Sequence, residues 1–401
     1  MKLGIIKERK NPPDRRVVLS PKKCKEILKE YPQLHIKVES SDIRVFKDED
    51  YIKEGIEVVN DVSDCDILLG VKEVPIENLI PNKQYFFFSH TIKKQPYNRK
   101  LLKAILDKNI KLYDHEAIVD KHNVRLVAFG KYAGNVGAYN GLRAYGKKAE
   151  LFEMPKAEEL HNQQELIDEM SKVDLPNIKV VLTGCGRVGN GAKEMLEGME
   201  MREVTINEFL NESFKEPVYV QINALDYNVR KDGFVKGYQD FFTHPGAYES
   251  NFMRFAKVAD MYIAGHFYGD NAPFIFSRED AKHKDFNIKV VADISCDIDG
   301  PVACTIKPST IKNPIYGYSP SEEKEVDYLN EEAIAVMAVD NLPCELPKDA
   351  SEGFGKSFAE HVIPSFFNND EDGVLKRARM TSKGKLKRRF KYLQDFVDGK
   401  E

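Results

Sequence analysis

The chain has 401 residues, 42% hydrophobic and 31% charged, with a formal net charge of -4. That balance fits an ordinary globular chain of about two domains and excludes the basic excess of a nucleic-acid binder. No stretch reaches the roughly 18–20 apolar residues of a membrane span, and the apolar run in MKLGIIKERK is too short for a secretory signal. The six dispersed cysteines form no CxxC pair, and the nine histidines show no metal-ligand spacing. They point to a reduced, cytoplasmic protein with no metal, no membrane partner and no nucleic acid.

In chain order, residues 3–6 read as a buried strand, followed by a charged loop with Arg15 and Arg16. Ser20 before Pro21 is a helix start, with serine as the cap and proline at the first helical position, and the helix runs to about residue 31. Strands are expected at 35–38, 65–70, 84–89 and 110–113, spaced as in an α/β unit with a mostly parallel sheet. Small residues recur between Tyr132 and Tyr145, which suits a helix that another element approaches closely. Residues 149–177 are charged and weakly periodic.

The stretch 178–191, IKVVLTGCGRVGNG, carries the sharpest signal. A β-branched run ends in Gly184, Gly186 and Gly189, with Arg187 and Val188 between them, and a helix is expected over about 191–200. This is the strand, turn and helix of a dinucleotide-binding unit: one glycine for the turn, one for approach of a pyrophosphate, one for helix–strand packing. Further strands are expected at 204–206, 218–222, 261–264 and 288–294. The adenosine ribose calls for an acid about 20 residues past the glycines. The strand at 204–206 leads to Asn207 and Glu208, so NAD and NADP both stay open. Residues 327–367 read as helical, and the basic run 376–391 as the solvated face of a terminal helix.

Ligands in open α/β sheets bind at strand carboxyl ends. Lys72, His90 and Glu116 occupy such positions. A lysine and a histidine there can handle protons, the alternative being a surface lysine and a satisfied loop histidine. Arg16 and Arg125 are candidate carboxylate forks, the alternative being ordinary salt bridges. Asp293 and Asp297 follow a strand near where a nicotinamide would lie, although Asp293 equally suits a turn cap. Asp340 sits in a loop that either covers a cofactor or separates two helices.

The segments RRVVLSP, GVKEVP, SHTIKKQ, RLVAFGKYAGNVG, GCGRVGNGA, VVADISCDIDG and AVDNLPCELPKDASEGFG appear in one order. That order resembles the alanine dehydrogenase and transhydrogenase N-terminal superfamily. Within it, YDHEA, SREDA and the tail motif resemble the lysine-forming saccharopine dehydrogenases and lysine–2-oxoglutarate reductases. The resemblance implies two Rossmann-like α/β domains with mostly parallel sheets and an interdomain cleft. One is a discontinuous substrate domain, 1–135 plus 330–401, and the other a dinucleotide-binding domain, 136–329.

The resemblance further implies an NAD(P)-dependent oxidoreductase that condenses L-lysine with 2-oxoglutarate through an imine to give saccharopine, reversibly, and that can form homo-oligomers. Lys72 and His90 match the family's proton handlers. Arg16 and Arg125 match its carboxylate arginines, and Lys93, Gln95 and Glu116 fall in the same pocket segments. Asp297 matches the aspartate beside the nicotinamide, with Asp293 its neighbour. The alternatives are an amino-acid dehydrogenase using ammonia and a 2-oxo acid, and a non-catalytic nucleotide-binding homologue.

Overall fold

The computed structural model describes residues 1–269 and 271–400. It forms two compact units, Met1–Phe129 with Pro347–Glu401, and Gly130–Leu346. The second unit is longer at both ends than the expected 136–329. One uninterrupted helix, Gly130–Lys148, opens it, and strands beyond residue 310 complete its sheet.

The first unit is built on a six-stranded sheet of β1 (Lys2–Ile5), β2 (His35–Glu39), β3 (Glu57–Val59), β4 (Ile67–Leu69), β5 (Gln84–Phe87) and β6 (Lys111–Asp114). Its order is β3-β2-β1-β4-β5-β6 and every pairing is parallel. Parallel strands are covered on both faces, which is why β4 and β5 are apolar runs and not alternating ones. Phe86 of β5 stacks on Tyr113 of β6 at 4.5 Å and meets Phe358 and Phe366 edge-on. Between β1 and β2 lies the helix Pro21–Glu30, whose cap is as expected: Ser20 accepts from the Lys23 N–H.

The second unit holds β7 (Lys179–Thr183), β8 (Arg202–Glu203), β9 (Val218–Ile222), a small hairpin of β10 (Asn228–Arg230) and β11 (Tyr248–Ser250), β12 (Met261–Ala264), β13 (Val290–Asp293), β14 (Ile315–Ser319), β15 (Lys324–Val326) and β16 (Ile334–Met337). Eight of these strands form one sheet, β15-β14-β16-β13-β12-β7-β9-β8. It is parallel except for β14 and β15, which run antiparallel at one edge. The helix Gly130–Lys148 packs on the helix Arg187–Gly198 and on β13. Its glycines allow that approach: a Cβ on Gly134 would stand 2.0 Å from the Val188 carbonyl oxygen, and one on Gly141 would stand 2.6 Å from the Ala292 Cβ.

Three expectations fail locally. The segment 204–206 is not a strand; only Arg202–Glu203 pairs, at the sheet edge, and Thr205 caps the helix Ile206–Asn211. Residues 334–337 are the buried strand β16 and not helix. The basic run near the C-terminus is no single helix face either. After the short helix Val374–Ala378 come β17 (Thr381–Ser382), β18 (Lys385–Leu386) and a 3₁₀ helix, Arg388–Leu393. Met380, Leu386, Phe390 and Leu393 interrupt the charges and bury themselves in the first unit's core.

Candidate active site

In the first unit, the candidate side chains follow the carboxyl ends of β4, β5 and β6. Lys72 is held through its backbone: the Glu8 carboxylate accepts the Val71 N–H at 2.7 Å and the Lys72 N–H at 2.9 Å. Burial pushes the Glu8 carboxyl up to about 7, against the pull of those two hydrogen bonds. His115 braces the same loop. It is fully buried, its Nε2 lies 2.9 Å from the Gly70 carbonyl, and burial brings its pKa down to about 4. The ring is therefore neutral near pH 7, and its Nε2–H donates to that carbonyl.

A second buried acid joins the next two loops. Asp114 accepts the Ser89 N–H at 2.9 Å and the Glu116 N–H at 2.7 Å, fixing the residues that flank His90 and carry Glu116. Burial raises the Asp114 carboxyl to about 6. His90 itself has a left-handed backbone, φ 53°. Its Nδ1 lies 3.6 Å from a Glu116 oxygen and its Nε2 4.0 Å from a Glu73 oxygen. Arg125 approaches the same Glu116 oxygen at 3.6 Å, while Lys10 holds Glu73 at 2.9 Å. Burial alone would raise the Glu116 carboxyl. The His90 hydrogen bond and the Arg125 charge outweigh burial and keep it below its ordinary value, hence ionised at neutral pH.

His90, Glu116, Arg125 and Lys93 are thus brought together, since the exposed Lys93 also acts on Glu116 by charge. Gln95 is exposed and accepts the Tyr97 hydroxyl. Arg16 is buried and its fork is closed on Asp14, with Nε at 3.0 Å and a terminal nitrogen at 2.7 Å. Its guanidinium also lies 4.2 Å over the Phe129 ring. A substrate carboxylate would have to share this arginine with Asp14. The arrangement as a whole offers an imidazole between two carboxylates, next to fixed cationic groups. That is a proton-handling site with anchors for anions.

In the second unit the glycine turn is closely packed at two of its three glycines and open at the third. Gly184 has φ +95°, and a Cβ there would stand 2.4 Å from the Gly265 carbonyl oxygen. A Cβ on Gly189 would stand 1.8 Å from the Gly184 oxygen, whereas Gly186 faces open space. The helix begins at Arg187, earlier than the expected 191, because Gly186 already serves as its cap residue and Asn190 N–H bonds back to it. Gly186 and the exposed Arg187 line a cavity of about 360 Å³ with Lys131, Cys185, Asn190, Gly191 and Glu194, while Val188 is half-buried. These residues fit a dinucleotide phosphate, which free helix N–H groups and cations would hold.

Asn207 and Glu208 do not end a strand. Both lie in the helix Ile206–Asn211, where Glu208 accepts the Thr205 N–H at 2.7 Å and Asn207 bonds Asn211. The glycine strand lies between β12 and β9, and the end of β9 brings Gln221 to the turn, with Asn223 and Asp226 in the segment just beyond it. Counting from the glycines missed them because an extra edge strand and helix intervene. Asp293 is fully buried and caps its loop, accepting Ser295 N–H at 3.0 Å and the Thr305 hydroxyl at 2.6 Å. Asp297 and Asp340 are exposed at the ends of β13 and β16. Their charges both act on Cys296, whose thiol burial pushes up to about 12.

His266, just past β12, was not singled out from the sequence. It is buried, 3.0 Å from the Thr183 hydroxyl through Nδ1, and its buried Nε2 has no hydrogen-bond partner among the described residues. Burial takes its pKa down to about 4. Glu8 was also missed, since it meets Lys72 across 64 residues of sequence. Glu73, adjacent to Lys72, and Asp114, at the end of β6, were detectable by position. Among the described residues, no helix is long and apolar enough to cross a membrane.

Residues 4–136 match the family model of the alanine dehydrogenase/PNT N-terminal domain. The chain is 29% identical to the mitochondrial alpha-aminoadipic semialdehyde synthase of Bos taurus over 455 residues, covering 100% of this chain and 48% of that protein. It therefore spans about half the length of that relative. It is 24% identical to saccharopine dehydrogenase [NAD(+), L-lysine-forming] of Yarrowia lipolytica over 387 residues, covering 91% of each. In fold it is similar to an L-alanine dehydrogenase structure, with TM-score 0.67, 18% identity and 99% of both chains covered. The chain is thus similar to the alanine dehydrogenase/PNT N-terminal domain over residues 4–136, and along its length to proteins named as saccharopine dehydrogenases and alpha-aminoadipic semialdehyde synthases.

Proposed function

We propose that this chain is a nicotinamide-dinucleotide-dependent oxidoreductase that condenses the ε-amine of L-lysine with the keto group of 2-oxoglutarate to give saccharopine, and runs the reverse reaction. The observation that carries this is its similarity, over nine-tenths of both chains, to a protein named as a lysine-forming saccharopine dehydrogenase. A dinucleotide bound there would supply or accept the hydride. The protein supplies proton handling and charge. Lys72 and His90 take and return protons at the amine nitrogen and the carbinolamine oxygen. Glu116 and Glu73 flank His90, and Arg125 pairs with a substrate carboxylate, with Arg16, shared with Asp14, as a second anchor. Lys93 and Gln95 belong to the same substrate pocket. Gly184, Gly186, Arg187, Val188 and Gly189 would hold the dinucleotide phosphates, Asp297 and Asp340 would serve its nicotinamide part, and Asp293 shapes its own loop. A cytosolic compartment is part of the proposal, in keeping with six cysteines that form no disulfide with one another.

The test follows nicotinamide absorbance with L-lysine plus 2-oxoglutarate and, in parallel, with ammonia plus pyruvate. Oxidation of the reduced dinucleotide with the first mixture and not the second is the expected result. Oxidation only with ammonia and pyruvate, or with neither, overturns the proposal.

A further inference from the structure

The run 376–391 holds nine lysines and arginines and no acid, in a chain whose formal net charge is -4. Its apolar side chains enter the core of the first unit and leave the cations on the surface: Lys383, Lys385, Arg388, Arg389 and Lys391 are all exposed. The fold brings this segment to the edge of the candidate active site. Arg389 donates to the Asn123 side chain at 2.9 Å, and Arg377 Nε donates to the Val119 carbonyl at 2.9 Å. Both acceptors belong to the loop whose far leg, bridged to Val119, carries Arg125. From the opposite direction, the Lys94 ammonium lies 5.8 Å over the ring of the exposed Tyr392. Tyr392 also feels the site itself. Burial raises its hydroxyl, Lys94 and Arg389 oppose that rise, and the charges of Asp114 and Glu116 add to it.

We propose that this segment is a cationic rim that draws the dianion 2-oxoglutarate into the substrate pocket. The wall of that pocket is acidic: His90 stands between Glu73 and Glu116. The two cations nearest them, Lys10 and Arg125, serve to offset these two carboxylates. Such a wall suits the ammonium groups of L-lysine and repels a dicarboxylate, so the attraction for the keto acid has to come from outside it. The exposed Lys93, whose charge reaches Glu116, continues the rim on the His90 side. Among the described residues, Lys385, Arg388 and Lys391 form no ion pair, so no neighbouring acid cancels their field. Charges of one sign around a cleft raise the local concentration and encounter rate of an opposite charge by about 10- to 1,000-fold, and salt screens them over about 8 Å at physiological ionic strength.

The inference rests on the proposed reaction, and one assay separates the two. Oxidation of the reduced dinucleotide by the full-length chain is followed at saturating L-lysine with varied 2-oxoglutarate, from about 0.02 to about 0.3 M salt. For the native chain, kcat/KM for 2-oxoglutarate should fall about fivefold or more across that range. Lys385→Glu, Arg388→Glu and Lys391→Glu combined should lower kcat/KM at low salt by about tenfold, remove most of its salt dependence and leave kcat within about twofold. Lys385→Gln, Arg388→Gln and Lys391→Gln combined, a milder change for folding, should fall between the two. An unchanged salt dependence in either triple variant that melts like the parent overturns the rim, and so does a loss confined to kcat. No oxidation by the native chain with lysine and 2-oxoglutarate overturns the proposed reaction and the inference with it.

Discussion

Lys72 is controlled through its backbone, because Glu8 grips the Val71 and Lys72 N–H groups and His115 grips Gly70. The loop from which its side chain would act is thereby fixed. Lys72→Met should lower turnover with lysine and 2-oxoglutarate by roughly two or more orders of magnitude, with the NADH dissociation constant nearly unchanged. Unchanged turnover would remove Lys72 from the mechanism. Another buried acid serves the fold alone. Glu345 is buried against Asn140, which donates to it at 2.9 Å, and burial raises its carboxyl from 4.5 to about 8. The folded chain thus holds a proton that the unfolded chain loses above pH 4.5. The stability this confers is complete below that pH and is lost as pH rises towards about 8. His115 and His266 act oppositely, but only between about 4 and 6.5, so they do not contribute above pH 7. The melting temperature should fall between pH 7 and pH 8.5. Glu345→Gln, which keeps an acceptor for Asn140, should flatten that fall and gain several degrees at pH 8.5, at roughly 2–4 °C per kcal/mol. An equally steep fall in the variant would acquit Glu345.

At the scale of elements, what was legible in the sequence was what local chemistry dictates. The cap at Ser20 and Pro21, the apolar runs of β4, β5 and β7, and the glycine turn all stand where expected, because each depends on neighbours in the chain. What failed depends on distant partners. Thr205 and Glu208 form a capping box that competes with a strand, and the helix wins because only two residues there find a sheet edge. Asp226 became visible only when β9 proved to lie beside β7. Glu8 could be connected with Lys72 only in three dimensions. The helix Gly130–Lys148 lies between these cases: its small residues announced a close approach, but not against what. Gly134→Ala sets a methyl 2.0 Å from the Val188 carbonyl oxygen, and a backbone atom cannot turn aside as a side chain does. Overpacking of this kind costs about 1–3 kcal/mol, more than the helix propensity of alanine returns. The variant should melt several degrees lower by calorimetry and bind NADH more weakly, because the Val188 turn moves. A variant as stable as its parent would show that the two helices separate easily.

At the scale of the molecule, the chain builds one sheet, leaves it at Phe129, completes a second unit, and returns at Pro347 to finish the first. The return is not a decoration of the first unit. Thr381 Oγ1 accepts the Leu112 N–H at 2.9 Å and donates to the Ile110 carbonyl at 2.7 Å, which ties β17 to β6. Met380, Leu386, Phe390, Leu393 and Phe396 enter the same apolar core as Leu68, Tyr85 and Leu102. Loss of one large buried side chain costs about 2–5 kcal/mol, and a whole domain is stable by only about 5–15 kcal/mol. Ending the chain at Ala378 removes five such side chains together with the Thr381 bonds, so the first unit should not fold. The apolar clusters of the second unit, among the described residues, draw only on positions between 132 and 346. Limited proteolysis of the truncated chain should therefore digest the segment before Gly130 and leave a resistant fragment spanning about 130–346, with the parallel-sheet circular dichroism of that unit retained. Protection of residues 1–129 in the truncated chain would show that the first sheet is stable without its C-terminal return. Digestion of the whole chain would show instead that the second unit depends on the first for its stability.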